Sequence, residues 1–183
     1  IGDLLDSGVT LSTGANTSAV VKFADGQLIA LQSNTRFTVS EYRFNVSQPK
    51  DSNIVFSLVR GGLRFVTGMI GATNRNAFKL NVGTATIGVR GSDGGATHIP
   101  GPSGFTAVFT NAGELTFALA GVTVNIPTGS LSHALPTDFR PRPVIPVAQA
   151  TTISPGLATQ ISQARAFPMP SNGTMTAAAR CST

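Results

Sequence analysis

The feature that most constrains this chain is a pattern joined to its punctuation: short runs that alternate apolar and polar residues, each closed by glycine. In "SAVVKFADGQLIAL" Ala19, Val21 and Phe23 fall on one face at a period of two, and Gln27 to Leu31 return as the partner strand. Asp25-Gly26 between them predicts a two-residue hairpin loop, because Gly26 tolerates the positive φ of a type I′ turn. "NTRFTVSEYRFNV" alternates again, with Phe37, Val39 and Glu41 set against Arg36, Thr38 and Ser40. "NIVFSLVRGGLRFVTG" predicts two strands broken at Gly61-Gly62, and "AFKLNVGTATIGVRG" predicts two more. "FTAVFTNAGELTFALAGVTVNIPTG" predicts at least three, with turns near Asn111–Gly113 and at Gly121. Strands recurring roughly every 8–12 residues belong to sandwiches, barrels or β-rolls and not to βαβ units. The expected fold is therefore all-β: a β-sandwich or β-roll-like domain of short antiparallel strands. "GVTLSTG" from Gly8 and "GVTVNIPTG" from Gly121 echo one another, but two copies do not make a solenoid.

The pattern changes near Pro136. "LPTDFRPRPVIPVAQATTISPG" holds five prolines in 22 residues, which predicts an extended, polyproline-like C-terminal arm. "GLATQISQARAF" is the one helical pattern, with Leu157, Ile161 and Ala164 at i, i+4 and i+7. The chain divides on this reading into a β domain over 1–130 and a Pro-rich arm and tail with at most one short helix over 131–183.

Only 11% of the 183 residues are charged, against about 25% in an average domain. Gly, Ser, Thr, Ala and Asn fill the difference, as in exported β proteins. The net charge is +5, carried by ten arginines and three lysines that form no run. Without a clustered basic footprint, nucleic acid is not expected as a partner. No stretch approaches the ~20 apolar residues of a membrane span. The single cysteine, Cys181, excludes an internal disulfide and reads as a free thiol near the end of the chain. The chain opens on Ile1, so a removed export signal is expected upstream, with a periplasmic or extracellular location. Asn16, Asn45 and Asn172 open glycosylation-type triplets of the sort chance supplies in so Asn-, Ser- and Thr-rich a chain.

Catalytic chemistry finds little to work with. His98 and His133 lie 35 residues apart with no HxH or HExxH spacing, and the acidic residues are scattered, so no metal, cofactor or enzymatic activity is expected. "VGTATIGVRGS", from Val82 to Ser92, has the look of a phosphate loop or a nucleophile elbow. It lacks the Gly-Lys-Ser/Thr of the first and the G-x-S-x-G of the second. Gly83, Gly88 and Gly91 then serve turns or close backbone approach, as do Gly26, Gly61 and Gly62 elsewhere. Arg36, Arg43, Arg60, Arg64 and Arg90 lie in or beside strands and are the candidate binding or structural cations, with Arg90 expected to hold carbonyls or a carboxylate.

Taken in order, "GDLLDSGVTLSTG", the Asp25-Gly26 hairpin, "GGLRFVTG" and "TATIGVRGS" resemble the FecR-type domain, named after the ferric-citrate transport regulator. The resemblance covers roughly residues 1–130. Ser92 stands where the family's closing motif carries Thr. The resemblance implies an exported, all-β, non-enzymatic domain. Members usually carry a strand or two before "GD.L..G", and Ile1 begins at that point, which predicts an open sheet edge. The arm and tail then supply a strand to a neighbour, giving a self-assembling subunit of a filament or surface assembly whose partners are other copies or a surface protein. The alternative is a periplasmic or extracellular ligand-binding or sensing domain, for envelope polysaccharide or transporter signalling.

Overall fold

The computed structural model describes residues 4–167 together with 169, 178 and 179. Cys181, Asp3 and the triplet at Asn172 lie outside the described residues. Thirteen strands form one mixed sheet: β1 (Leu4–Leu5), β2 (Thr10–Ser12), β3 (Ala19–Phe23), β4 (Leu28–Leu31), β5 (Arg36–Arg43), β6 (Asn53–Val66), β7 (Phe78–Val82), β8 (Ala85–Ile99), β9 (Phe105–Leu119), β10 (Val122–Pro127), β11 (Ser130–Ala134), β12 (Ile145–Pro146) and β13 (Ala178–Ala179). The α-helices among the described residues are α1 (Met69–Thr73) and α2 (Pro155–Ala166).

The all-β expectation holds, but the strands are not all short. β6, β8 and β9 run for 14, 15 and 15 residues. Gly61-Gly62 and Asn111–Gly113, expected to end strands, sit inside them. The reason is that each long strand bends without stopping. Gly61, Gly91 and Gly113 have φ of +93°, +63° and +80°. Beside each, the pairing register slips: Arg36 faces Arg60 while Phe37 faces Leu58, and Arg90 faces Glu114 while Asp93 faces Ala112. These are β-bulges with glycine in the left-handed region, which turn a strand's direction without breaking its ladder.

The bends fold the sheet onto itself. The first half of β6 pairs with β5 and β7, and its second half with β4 and β8. β8 and β9 change partners in the same way. One layer is thus β2-β5-β6-β7-β8-β9-β10 and the other β1-β13-β3-β4-β6-β8-β9-β11-β12. Phenylalanines from the two layers meet in the middle. Phe23 lies 5.0 Å from Phe56, and Phe56 and Phe65, nine residues apart on one strand, both touch Phe78 at 5.9 and 5.5 Å. All of these rings are fully buried, each contributing about 1.5–3 kcal/mol of transfer free energy.

Local departures have local causes. The Asp25-Gly26 turn is a three-residue loop rather than a two-residue one: Gly26 N–H donates to Phe23 O, Phe23 N–H donates to Gln27 O, and of the loop residues Gly26 alone has positive φ. That is a type I turn closed by a glycine bulge, which needs one left-handed residue instead of two. In β5 a slip between Val39 and Glu41 sends Tyr42 inward and leaves Glu41 outside. β6 and β7 pair in parallel, as do β1 and β13, and β13 and β3, against the antiparallel expectation. Short α1, which carries no periodic signal, connects β6 to β7.

The arm and helix return to the sheet. The predicted helix forms, with Ser154 Oγ accepting from Leu157 N–H and Pro155 in its first turn. Leu157, Ile161 and Ala164 pack with Ala107, Phe109 and Leu131 on the outer face of the second layer. The gap between β1 and β3 is filled in the same chain by β13, where the sequence pointed to donation to a neighbour.

The bends give a graded test by urea denaturation. A Cβ on Gly113 falls 2.5 Å from Gly91 O and 3.1 Å from Ser92 Oγ, whereas one on Gly91 meets nothing within 4 Å. Gly91→Ala carries only the left-handed strain, about 1 kcal/mol; Gly113→Ala adds the collision and costs about 2–4 kcal/mol. Equal losses would show that Gly113 is not packed against the Gly91 bend.

Candidate functional site

The five arginines separate into different structural roles. Arg64, on β6, sends Nε and Nη2 to the two carboxylate oxygens of Asp93 at 3.0 and 2.6 Å. Its Nη1 donates to the carbonyls of Arg165 and Phe167 at the end of α2, at 3.0 and 2.9 Å. Those carbonyls have no partner within the helix, and a cation suits the negative end of its dipole. Asn111 Nδ2 donates to Asp93, and Arg165 Nε donates to Asn111 Oδ1, so α2 is latched to β6, β8 and β9 at one point. Arg90 pairs with Glu114 at 2.8 Å directly across the bend, largely in solvent. Arg36 and Arg60 stand opposite each other on β5 and β6 and are exposed, while Arg43 is exposed at the far end of β5. The structure therefore brings together Arg36 and Arg60 and spreads the other three.

The candidate glycines act in different ways. Gly83 turns β7 into β8 at φ +58°, and a Cβ there would lie 2.8 Å from the His98 ring. A Cβ on Gly88 would lie 2.6 Å from Thr116 Oγ1. Gly62 has the Gln32 side chain over it. Ser92 is buried within the bend: its hydroxyl donates to Glu114 O at 2.6 Å, and its N–H donates to Thr67 Oγ1 at 2.8 Å.

Acidic groups are similarly committed. Asp25 accepts from Gln27 N–H and the Tyr42 hydroxyl, and its carbonyl accepts from Met69 N–H. Burial pushes its carboxyl above the ordinary carboxylate range, against these hydrogen bonds. His98 and His133 point to opposite faces of their layer, since His98 pairs with Thr106 and His133 with Ala107. Burial lowers the pKa of both. Among the described residues no three His, Cys, Asp or Glu side chains gather to hold a metal ion.

A candidate contact point lies on the Pro-rich arm. Asp138 accepts from Leu135 N–H and from Arg142 Nε and Nη2, at 2.8, 2.7 and 3.2 Å. Arg142 N–H donates to His133 O, and Ser132 Oγ donates to Arg142 O. Together with Pro136, Pro141 and Pro143 these bonds hold 135–143 as a preformed loop. At its tip Phe139 is 84% exposed, beside Arg140 and a shallow groove floored by Val122 and Val124. An aromatic side chain this open on a fixed loop is the kind of residue that anchors protein contacts. The sequence signal was present in "TDFRPRP": an Asp and an Arg four apart around a Phe, among prolines.

Residues 9–114 match the family described as FecR protein. The chain belongs to this family. The matched segment ends at Glu114, just beyond the bend in β9, so α2 and the arm lie outside it. Two crystal structures of a provisionally assigned anti-sigma factor from Parabacteroides distasonis, at 2.50 and 1.65 Å resolution, share the fold with TM-scores of 0.61 and 0.59. Each is 14% identical and covers 79% of this chain, which in turn covers 62% and 63% of theirs. The chain thus spans less than two thirds of those proteins. No curated protein matches it. No helix among the described residues is long and apolar enough to cross a membrane.

Two substitutions check these assignments. Arg64→Lys keeps the charge and loses the fork that serves carboxylate and carbonyls together. It should cost about 1–3 kcal/mol and speed hydrogen exchange in α2 about tenfold or more, leaving β3–β5 unchanged. Uniform acceleration would mean that Arg64 is not a latch for α2. Asp25 gives a pH test. The folded chain holds its proton more tightly than the unfolded chain, so its contribution is full below about pH 4 and is lost as pH rises through the raised folded value. Relative to Asp25→Asn, the wild type should therefore lose stability in urea melts as pH rises above about 4. A gap independent of pH would place the carboxyl in an ordinary environment.

Proposed function

We propose that this FecR-family chain is a non-enzymatic sensing and interaction module that acts outside the cytoplasm, with an output made through protein contact and not through chemistry. The carrying observation is the match over residues 9–114, joined to the fold shared with proteins provisionally assigned as anti-sigma factors. The side chains support it. Asp93, Glu114 and Asp138 are tied to arginines, and Asp25 serves a turn, so these carboxylates are bound into structure rather than poised for proton transfer. Phe139 and Arg140 on the clamped loop supply a contact point suited to a partner with an apolar pocket and an acidic rim.

This reading is favoured over the filament because β13 fills the edge gap within the same chain. Light scattering on the eluting protein distinguishes them. A sensing module should run near 18.8 kDa or as a small oligomer. Particles many times larger, resolved as filaments by electron microscopy, would overturn it in favour of a structural subunit.

A further inference from the structure

The sandwich is open at one end. There the β7–β8 turn, the β8–β9 loop and the arm surround a cavity of about 280 Å³. Its walls are mostly apolar: Phe105, Leu119, Leu135 and Pro136, with Ala85 and Ala134 leaving room where larger side chains would fill it. His98 enters from β8. Its Nδ1 is bonded to Thr106 Oγ1 at 2.9 Å, which fixes the ring, and its Nε2 has no protein partner among the described residues. Gly83 makes room for that ring edge, since a Cβ there would lie 3.2 Å from Nε2. The other titratable group on the wall, Asp138, is neutralised by Arg142.

We propose that this mouth cavity binds a small uncharged ring compound, apolar over most of its surface and bearing one hydroxyl for His98 Nε2. The volume lies just below the range of drug-sized sites and suits a single ring. A mostly apolar wall with a few polar groups, here His98, Thr84, Thr106 and the Arg142-paired Asp138, is the usual composition of a ligand pocket, and the mouths of β-barrels are a usual place for one. The lining carries no unpaired charge, and burial lowers the His98 pKa so that the imidazole is neutral at pH 7, which disfavours an ionised ligand. A hydroxyl both donates and accepts, so it serves either tautomer that the Thr106 bond selects. This inference goes beyond the sensing role: it concerns what enters the domain, whatever the domain then touches.

Phenol is the probe, followed by two-dimensional NMR on the full chain. It should produce saturable shifts at the His98 ring and at the Gly83, Thr84 and Gly101 amides, with a dissociation constant of about 1–10 mM for so few atoms. Benzoate should give none. Ala134→Leu fills the cavity and should abolish the phenol shifts. His98→Ala leaves the apolar walls, so phenol should weaken about 3–10-fold while toluene binds unchanged. Shifts that rise linearly with phenol and scatter over the surface would overturn the site. So would benzoate binding as tightly as phenol, or a phenol affinity unmoved by His98→Ala.

Discussion

The fold depends on three strands that bend where they could have stopped. β6, β8 and β9 are each too long for one layer, and each turns at a left-handed glycine: Gly61, Gly91 and Gly113. A straight sheet of this length would leave Phe23, Phe56, Phe65 and Phe78 on an open face. Bent, it closes them into a single core. The bends also interlock. Gly113 packs on the carbonyl of Gly91, Ser92 is bonded to both Thr67 and Glu114, and Arg90 spans to Glu114. A slip of β8 against β9 here would misplace both of their bends, because register in a half-buried sheet decides which face each side chain takes.

The outer layer follows from the second half of β8. Gly95 leaves room there for the Phe109 ring, on which α2 packs, with Arg64 holding the helix end. Arg64 succeeds where a lysine would not, because one planar fork meets a carboxylate on one side and two helix carbonyls on the other. The sequence motif that looked like a ligand loop, "GVRGS", is the hinge of this arrangement. Arg90 and Ser92 spend their hydrogen bonds on it.

Much of this was legible in the sequence, and the illegible part has a physical reason. The alternation of Val21, Phe23, Phe37 and Val39 fixed the inward faces, and Leu157, Ile161 and Ala164 marked the buried stripe of α2. Glycine was ambiguous. A left-handed glycine ends a strand at Gly121 and bends one at Gly113, and the local pattern is the same for both. Only the partner strand decides, by whether its hydrogen bonds continue past the bend. Parallel pairing of β6 with β7 was hidden for the same reason, since it is set by distant residues. The arginines gave position without partners. Arg64 finds Asp93 29 residues away and α2 101 residues away, distances over which composition is silent.

The charge economy of the chain then bears on what it recognises. With 11% charged residues, and with Asp93, Glu114 and Asp138 already paired, little anionic capacity is left for specificity. Recognition falls largely to shape: the mouth cavity with His98, and Phe139 beside Arg140 on the arm. These two are not independent surfaces. Asp138 lines the cavity and also clamps the loop that carries Phe139, through Leu135 N–H and Arg142. The wall of the cavity and the mount of Phe139 therefore share one carboxylate, already neutralised by Arg142, and neither offers a partner a free charge of its own there.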